Sequence, residues 1–219
     1  MRTLLDGRPA ASHSVAPGIH VAIARAGDTA AGGHDPAAAR AAQSLAARAL
    51  LRGLLAQVAG PAAAALPVAA TDNGRPYLPD RPDLGVSLSH DGGWVAVAVG
   101  VDAAVGVDVQ LPAPVTPALI RRCCTPDAAR VLDALPTLDR DLAFAWIWTV
   151  QEACVKAEGT GLAGRPWTVP VPVDGHHGTW RGYRWHSLRD RAGPPLSCAH
   201  RPLQDTASAE RSTSERENR

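Results

Sequence analysis

Glu152 and Lys156 stand four residues apart in a stretch, roughly Leu138 to Glu158, that predicts a long helix ending before Gly159 and Gly161. At that spacing both side chains leave one helical face. Asp108 interrupts an apolar run from Val105 to Val109, and Gln110 follows two residues on. A strand's period of two puts Asp108 and Gln110 on one face. An ionised Asp in a buried strand is costly unless paired or bound to a cation, although a solvated strand edge would also accommodate it. Two carboxylates and an amide oxygen are hard donors suited to Mg²⁺, which keeps waters and completes its shell with substrate phosphates. Lys156 and nearby arginines would neutralise the rest of a polyphosphate. Such a set predicts phosphoryl-transfer chemistry, in which positioning and charge neutralisation do most of the work.

The distribution of charge singles out the same segment. Of the 22 basic residues only Lys156 is a lysine, and three of the five glutamates (Glu210, Glu215, Glu217) fall in the polar C-terminal stretch. The other two, Glu152 and Glu158, lie within seven residues that also hold the lysine. The total is nearly neutral, a formal +1 from 22 basic and 21 acidic residues, which argues against a general nucleic-acid binder. At 219 residues, 46% apolar and 20% charged, the chain can bury a core and is not of disordered composition. It has no run of about 18 apolar residues to span a membrane and no apolar leader core after Met1. Cys123, Cys124, Cys154 and Cys198 show neither metal-pair spacing nor a disulfide framework, so a reducing, cytoplasmic setting is expected.

The elements that must position these residues fall into two halves. A strand is expected at Gly18–Ile23, and a helix from about Pro36 to Ala59 with Asp35 as N-cap and Gly60-Pro61 as stop. Arg40, Ser44, Arg48 and Arg52 lie along that helix, as a solvated face or a phosphate-reading one. Asn73-Gly74-Arg75-Pro76-Tyr77 reads as a turn. Val86–His90 and Trp94–Val99 read as a hairpin through Asp91-Gly92-Gly93, and Val105–Val109 as a third strand. Pro112-Ala113-Pro114 is the expected linker between residues 1–112 and 113–203. The second half begins with short helices near Pro117–Arg122 and Pro126–Leu135 and continues with the long helix. Strands are expected at Trp167–Val173, Arg181–Leu188 and Pro195–His200. Residues 204–219 are expected to be disordered. The fold class is α/β, more narrowly α+β.

Taken in order, Gly106-Val107-Asp108-Val109-Gln110, then Trp148-Thr149-Val150-Gln151-Glu152-Ala153-Cys154-Val155-Lys156, then Gly159-Thr160-Gly161-Leu162 resemble the signature of the surfactin-type 4′-phosphopantetheinyl transferases. Gly74-Arg75-Pro76, Ser87-Leu88-Ser89-His90 and the helix carrying Ser44 and Arg52 extend the resemblance over about residues 15–203. It implies a monomeric pseudo-dimer of two similar halves, each a long helix on a small, mostly antiparallel sheet, with coenzyme A in the cleft between them. It also implies transfer of phosphopantetheine to a serine of an acyl or peptidyl carrier protein, with release of 3′,5′-ADP. Carried over by position, Asp108, Gln110 and Glu152 would hold Mg²⁺, and Glu152 would be the candidate base. Lys156 would contact the pyrophosphate, Ser44, Ser89 and His90 the phosphates, and Arg75 and Pro76 the adenine side. No nucleic-acid or membrane partner is implied.

Two positions depart from that pattern. Gln110 stands where relatives usually have an acid, and Gln151 where they usually have a lysine. The second is expected to cost substrate contacts rather than chemistry, because it points about 100° from Glu152. These departures keep open a non-catalytic coenzyme A- or carrier-binding protein of the same fold, and a Mg²⁺-dependent phosphoanhydride hydrolase is a third reading. Leu119, Ile120, Val131 and Leu132 are a candidate docking surface for a carrier helix, with Arg121, Arg122 and Arg130 to steer an acidic partner; an ordinary packed helix pair reads the same way. Trp148 reads as a wall of the site and Trp146 as core. Cys123-Cys124 and His176-His177 read as packed thiols and a solvated loop.

Overall fold

A computed structural model describes residues 11–26 and 36–203. The expected N-cap Asp35 and the polar stretch 204–219 lie outside the described residues. Strands β1 (Ala11–Ala16), β2 (Ile19–Arg25), β5 (Leu84–Asp91) and β6 (Trp94–Val101) form one antiparallel sheet in the order β1-β2-β6-β5. Strands β7 (Ala103–Val109), β8 (His177–Trp180), β9 (Tyr183–Ser187) and β10 (Leu196–Pro202) form a second, β7-β10-β9-β8, also antiparallel. A two-residue ladder joins β3 (Ala69–Ala70) to β4 (Pro76–Tyr77). Helix α1 (Pro36–Ala59) packs on the first sheet, and α4 (Thr137–Glu158) on the second. Two short helices, α2 (Pro117–Cys123) and α3 (Pro126–Asp133), pack beside α4. Both carry a threonine N-cap and a proline in the first turn.

Strand alternation stacks these elements into four layers. In β6, Val95, Val97 and Val99 pack under α1 with Leu51, Leu54 and Leu55, while Ala96 and Ala98 face the other sheet. In β7, Val105, Val107 and Val109 face the first sheet, and Ala104 packs towards α4. Period two therefore turns Gly106 and Asp108 towards α4 as well. The order is α1, sheet, sheet, α4, and each of the three interfaces between layers carries its own apolar cluster.

Several expected elements shift. The segment Trp167–Val173 is no strand: Pro166–Thr168 is a 3₁₀ turn, and the rest joins no ladder. Pro170 and Pro172 have no N–H to give one. The strand expected from Arg181 begins at Tyr183, because Arg181 (φ 47°) and Gly182 (φ 81°) form the tight turn of a β8–β9 hairpin. Strand β1 reads as loop in the sequence; it is an edge strand of small and polar residues. Strand β7, read with the first half, pairs with β10 of the second.

The two sheets meet along a seam made by side chains. Strand β7 gives alternate N–H groups to β10, and the remaining ones turn towards β5. There Ser87 Oγ accepts from Val107 N (3.1 Å), Ser89 Oγ from Val109 N (3.4 Å), and Asp91 Oδ2 from Leu111 N (2.7 Å). Polar side chains two apart on β5 thus satisfy the open edge of β7 without a ladder. Gly85 lets the strands cross, since a Cβ there would lie 2.1 Å from Ala103 O.

Candidate active site

Gly106 sets the distance between β7 and α4. A Cβ at this position would lie 2.1 Å from Ala153 O and 2.4 Å from Ala157 N, so only glycine allows the helix backbone this close. The approach lowers Lys156 onto Asp108. Lys156 Nζ donates to Asp108 Oδ1 (2.6 Å), Ser89 Oγ (3.2 Å) and Val107 O (3.3 Å), which engages all three ammonium hydrogens. Ser89 donates in turn to Asp108 Oδ1 (2.7 Å). Asp108 and Ser89 are buried, at 6% and 7% exposure. The buried carboxylate in the strand is therefore paired, and it faces α4 rather than a solvated edge.

Glu152 sits one turn before Lys156, and its Oε1 is buried without a hydrogen-bond partner. Burial raises its pKa, and the Asp108 carboxylate raises it further against the pull of Lys156. A carboxylate raised in this way binds its proton more tightly folded than unfolded. Its stabilising contribution is full at low pH and is lost as pH rises from the ordinary glutamate range through the raised value. Glu152→Gln should therefore stabilise the ligand-free chain at pH 7 by about 1 kcal/mol, or about 2–4 °C in Tm. The gain should vanish below about pH 4, as Glu152 becomes protonated in both states. Thermal melts of both proteins across pH check this; an equal or lower Tm for Glu152→Gln at pH 7 would contradict it.

An orphaned carboxylate oxygen beside a second carboxylate fits a hard divalent cation. Among the described residues no three His, Cys, Asp or Glu are grouped to hold one. Such an ion would therefore take the rest of its shell from elsewhere. Gln110 follows the end of β7; it is half-buried, and its N–H donates to Pro195 O (3.1 Å). It shares Asp108's strand face, but its side chain makes no hydrogen bond to the described residues and it does not line the cleft below.

A cleft of about 260 Å³ opens beside these groups, lined by Arg75, Pro76, Ser87, Glu152, Lys156 and Gly159 among others. Its far wall is the turn before β4, docked on the C-terminus of α4. Asn73 Nδ2 donates to Gly159 O (2.7 Å), and Arg75 donates to Ala157 O (3.4 Å). Gly159 (φ 83°) closes the helix, and a Cβ there would lie 2.4 Å from Arg75 Nη1. His90 is exposed at the end of β5; burial of its ring, with the charges of Lys156 and Arg40, lowers its pKa. Arg40 therefore reaches this site electrostatically from α1. Ser44, one turn on, is half-buried and does not line the cleft. The structure thus gathers Arg75, Pro76, Asp108, Glu152 and Lys156, with Ser89 beneath, and leaves Ser44 and Gln110 at the margin.

Asn73 and Ser87 act as positioning groups that the sequence reading took only as a turn residue and a motif residue. Their signal was spacing: Ser87, Ser89 and Asp91 alternate, as polar residues do on one strand face. Gln151 is corrected outright. It is 1% exposed and donates through Nε2 to Cys123 O (2.6 Å) and Val169 O (3.1 Å). It therefore ties α4 to α2 and cannot report a lost substrate contact. Gln151→Ala should cost about 1–3 kcal/mol by leaving two buried carbonyls unpaired. Activity per folded molecule should be unchanged; a denaturant melt and an assay at equal folded concentration check it. Trp148 stacks on Phe144 (6.4 Å) beside the second core and does not line the cleft. Trp146 is core, with Arg189 over its ring at 4.9 Å. Ile120 and Leu132 are fully buried, so only Leu119 and Val131 of the expected docking surface face outwards. Cys123 is packed as expected, and burial pushes the half-buried Cys124 thiol up to about 12.

A sequence profile described as the 4′-phosphopantetheinyl transferase superfamily matches residues 104–192, from Asp108's strand through the helix of Glu152 and Lys156. Over that span the chain is similar to this superfamily. A 4′-phosphopantetheinyl transferase of Bacillus pumilus is 33% identical over 91 residues, 42% of this chain and 39% of that protein. One of Bacillus subtilis is 28% identical over 129 residues, 58% and 57% of the two chains. The transferase named Sfp from Bacillus subtilis strain 168 is 29% identical over 90 residues, 41% and 40%. The chain thus aligns with roughly two fifths to three fifths of these curated transferases. The superfamily segment contains both carboxylates and the lysine of the cluster described above. None of the described helices is long and apolar enough to cross a membrane.

Proposed function

We propose that this protein transfers the 4′-phosphopantetheine group of coenzyme A to a serine of an apo acyl or peptidyl carrier protein. The observation that carries the reading is the Asp108–Lys156–Glu152 cluster, with its orphaned Glu152 oxygen, which lies beside a cleft and falls within the segment that the superfamily profile matches. Coenzyme A would lie in the cleft, its adenine side against Arg75 and Pro76 and its phosphates near Ser44, Ser89, His90 and Lys156. Residues 1–112 would supply most of these contacts, and residues 113–203 would supply Glu152 and Lys156. Asp108 and Glu152 would hold Mg²⁺, with Gln110 offering its amide oxygen directly or through water. Bound there, Mg²⁺ supplies charge neutralisation for the pyrophosphate.

The chain's own groups then divide the work. The serine oxygen forms a bond to the β-phosphorus as the bond from that phosphorus to the bridging oxygen breaks, and 3′,5′-ADP departs. Glu152 accepts the serine proton, and its raised pKa brings its basicity closer to working pH. Lys156 neutralises Asp108; with a pyrophosphate bound, the same ammonium would turn to the leaving group. Leu119 and Val131, exposed beside Arg121 on the α2–α3 face, are the surface for the carrier. A monomer working in the cytoplasm suits this reading.

Lys156→Ala should lower transfer about 10²–10³-fold. Lys156→Arg should not restore it, because three acceptors converge on one compact ammonium and a planar fork cannot meet them together. Initial rates of the three proteins decide this, and full rescue by Arg would overturn the role. The reading itself is tested with coenzyme A and Mg²⁺, with and without apo carrier protein. Coenzyme A consumed only with carrier supports transfer; consumption without carrier means a hydrolase, and binding without consumption means a scaffold.

A further inference from the structure

Five of the chain's eight histidines meet at a second place, far along the sequence from Asp108 and Glu152: His13, His176, His177, His186 and, stacked on His186 at 5.4 Å, His200. The first four line a cleft of about 320 Å³ together with Ser14, Ser187, Asp190 and Arg191. It bridges the sheets at their other edges, β1 on one side and β8–β9 on the other. Two polar atoms in its wall are buried without a partner, His13 Nε2 and Arg191 Nε. Arg191 uses its terminal nitrogens on the backbone carbonyls of Ala192 (3.1 Å) and Pro194. It forms no salt bridge with a described carboxylate.

The charge balance of this cleft is incomplete. Burial alone pulls the Arg191 pKa down to about 10, the mark of a cation without a compensating charge. His13 is lowered by burial and by Arg191, and His186 by burial and then by His177 and Arg184. His200, behind His186, is lowered by burial, His186 and Arg184. Against these groups stands Asp190, which is exposed at the rim. A transition metal is the other ligand for histidines, but no three metal-binding side chains among the described residues are arranged to hold one.

We propose that this cleft is an oxyanion site for a phosphate or phosphomonoester group, held by Arg191 and by imidazole N–H donors of His13 and His186. An anion there supplies the charge that Arg191 lacks, and it favours the protonated imidazoles. Protonation of the imidazoles as pH falls from 8 to 6 favours the anion, while phosphate itself loses negative charge over the same range, so the two effects oppose each other. The site is independent of the proposed transfer reaction, none of whose residues lines this cleft.

The test is a titration of the full chain with inorganic phosphate at constant ionic strength, followed through its imidazole ¹H–¹⁵N resonances at pH 6 and pH 8. His13 and His186 should shift saturably at both pH values, and chloride should not reproduce the shift. Arg191→Gln should abolish it, and His13→Gln, which keeps the guanidinium should the first variant fail to fold, should weaken binding about ten-fold. His90→Gln should leave the response at His13 intact, which separates this site from the coenzyme A cleft. Glycerol phosphate competing at the same resonances would identify a phosphomonoester site, and failure to compete would restrict it to inorganic phosphate. Non-saturating shifts, an equal response to chloride, or a full response in Arg191→Gln would overturn the proposal.

Discussion

Asp108→Ala and Glu152→Ala are each expected to lower phosphopantetheine transfer by about 10²–10⁴-fold. Neither carboxylate belongs to an apolar cluster. The two variants should differ in the ligand-free protein. Removing Asp108 leaves the Lys156 ammonium without its 2.6 Å partner and should destabilise the fold. Removing Glu152 takes away an unpaired buried oxygen and should not. Asp108→Asn preserves shape, and it keeps the assay meaningful should the alanine variant unfold. Transfer rates at saturating coenzyme A and Mg²⁺, with thermal melts, give both readouts. Substantial activity in either alanine variant would refute the assignment of that carboxylate to the site.

The second large effect is expected at a residue with no side chain. Gly106→Ala should cost about 1–3 kcal/mol in stability and about 10²-fold in rate. The added Cβ would meet backbone on both sides, Ala153 O at 2.1 Å and Ala157 N at 2.4 Å, so α4 must move away from β7. That motion pulls Lys156 and Glu152 off Asp108 together. A control isolates the cause: Gly53→Ala places its Cβ where nothing lies within 4 Å, and it should be neutral or slightly stabilising. Wild-type rate and melting temperature in Gly106→Ala would mean that helix and strand are not held at this distance.

The cluster was legible in the sequence because its members carry periodic signals. Glu152 and Lys156 are four apart on a helix, and Asp108 breaks an apolar strand, so residue type and spacing both pointed to one face. Helix α1 fell at Pro36–Ala59 as expected, since its proline start and Gly60-Pro61 stop are local chemistry. What the sequence could not show was tertiary. Gln151 reads as a substrate-contact position until α2 and the Pro166–Thr168 turn cover it and claim its amide. The run Trp167–Val173 has the composition of a strand, but its prolines leave it without donors for a ladder. Strand β7 follows β6 directly yet joins the other sheet, because the chain turns at Asp102 (φ 51°) and the remaining N–H groups of β7 find the serines of β5. The histidine cleft collects residues from His13 to His186, and no local pattern announces it.

The most direct test of the proposed transfer is the intact mass of an apo carrier protein after incubation with this chain, coenzyme A and Mg²⁺. The account predicts one added phosphopantetheine per carrier, release of one 3′,5′-ADP, and no addition to a carrier whose acceptor serine is replaced by alanine. An unchanged mass across acyl and peptidyl carriers that a known transferase modifies in parallel would contradict it.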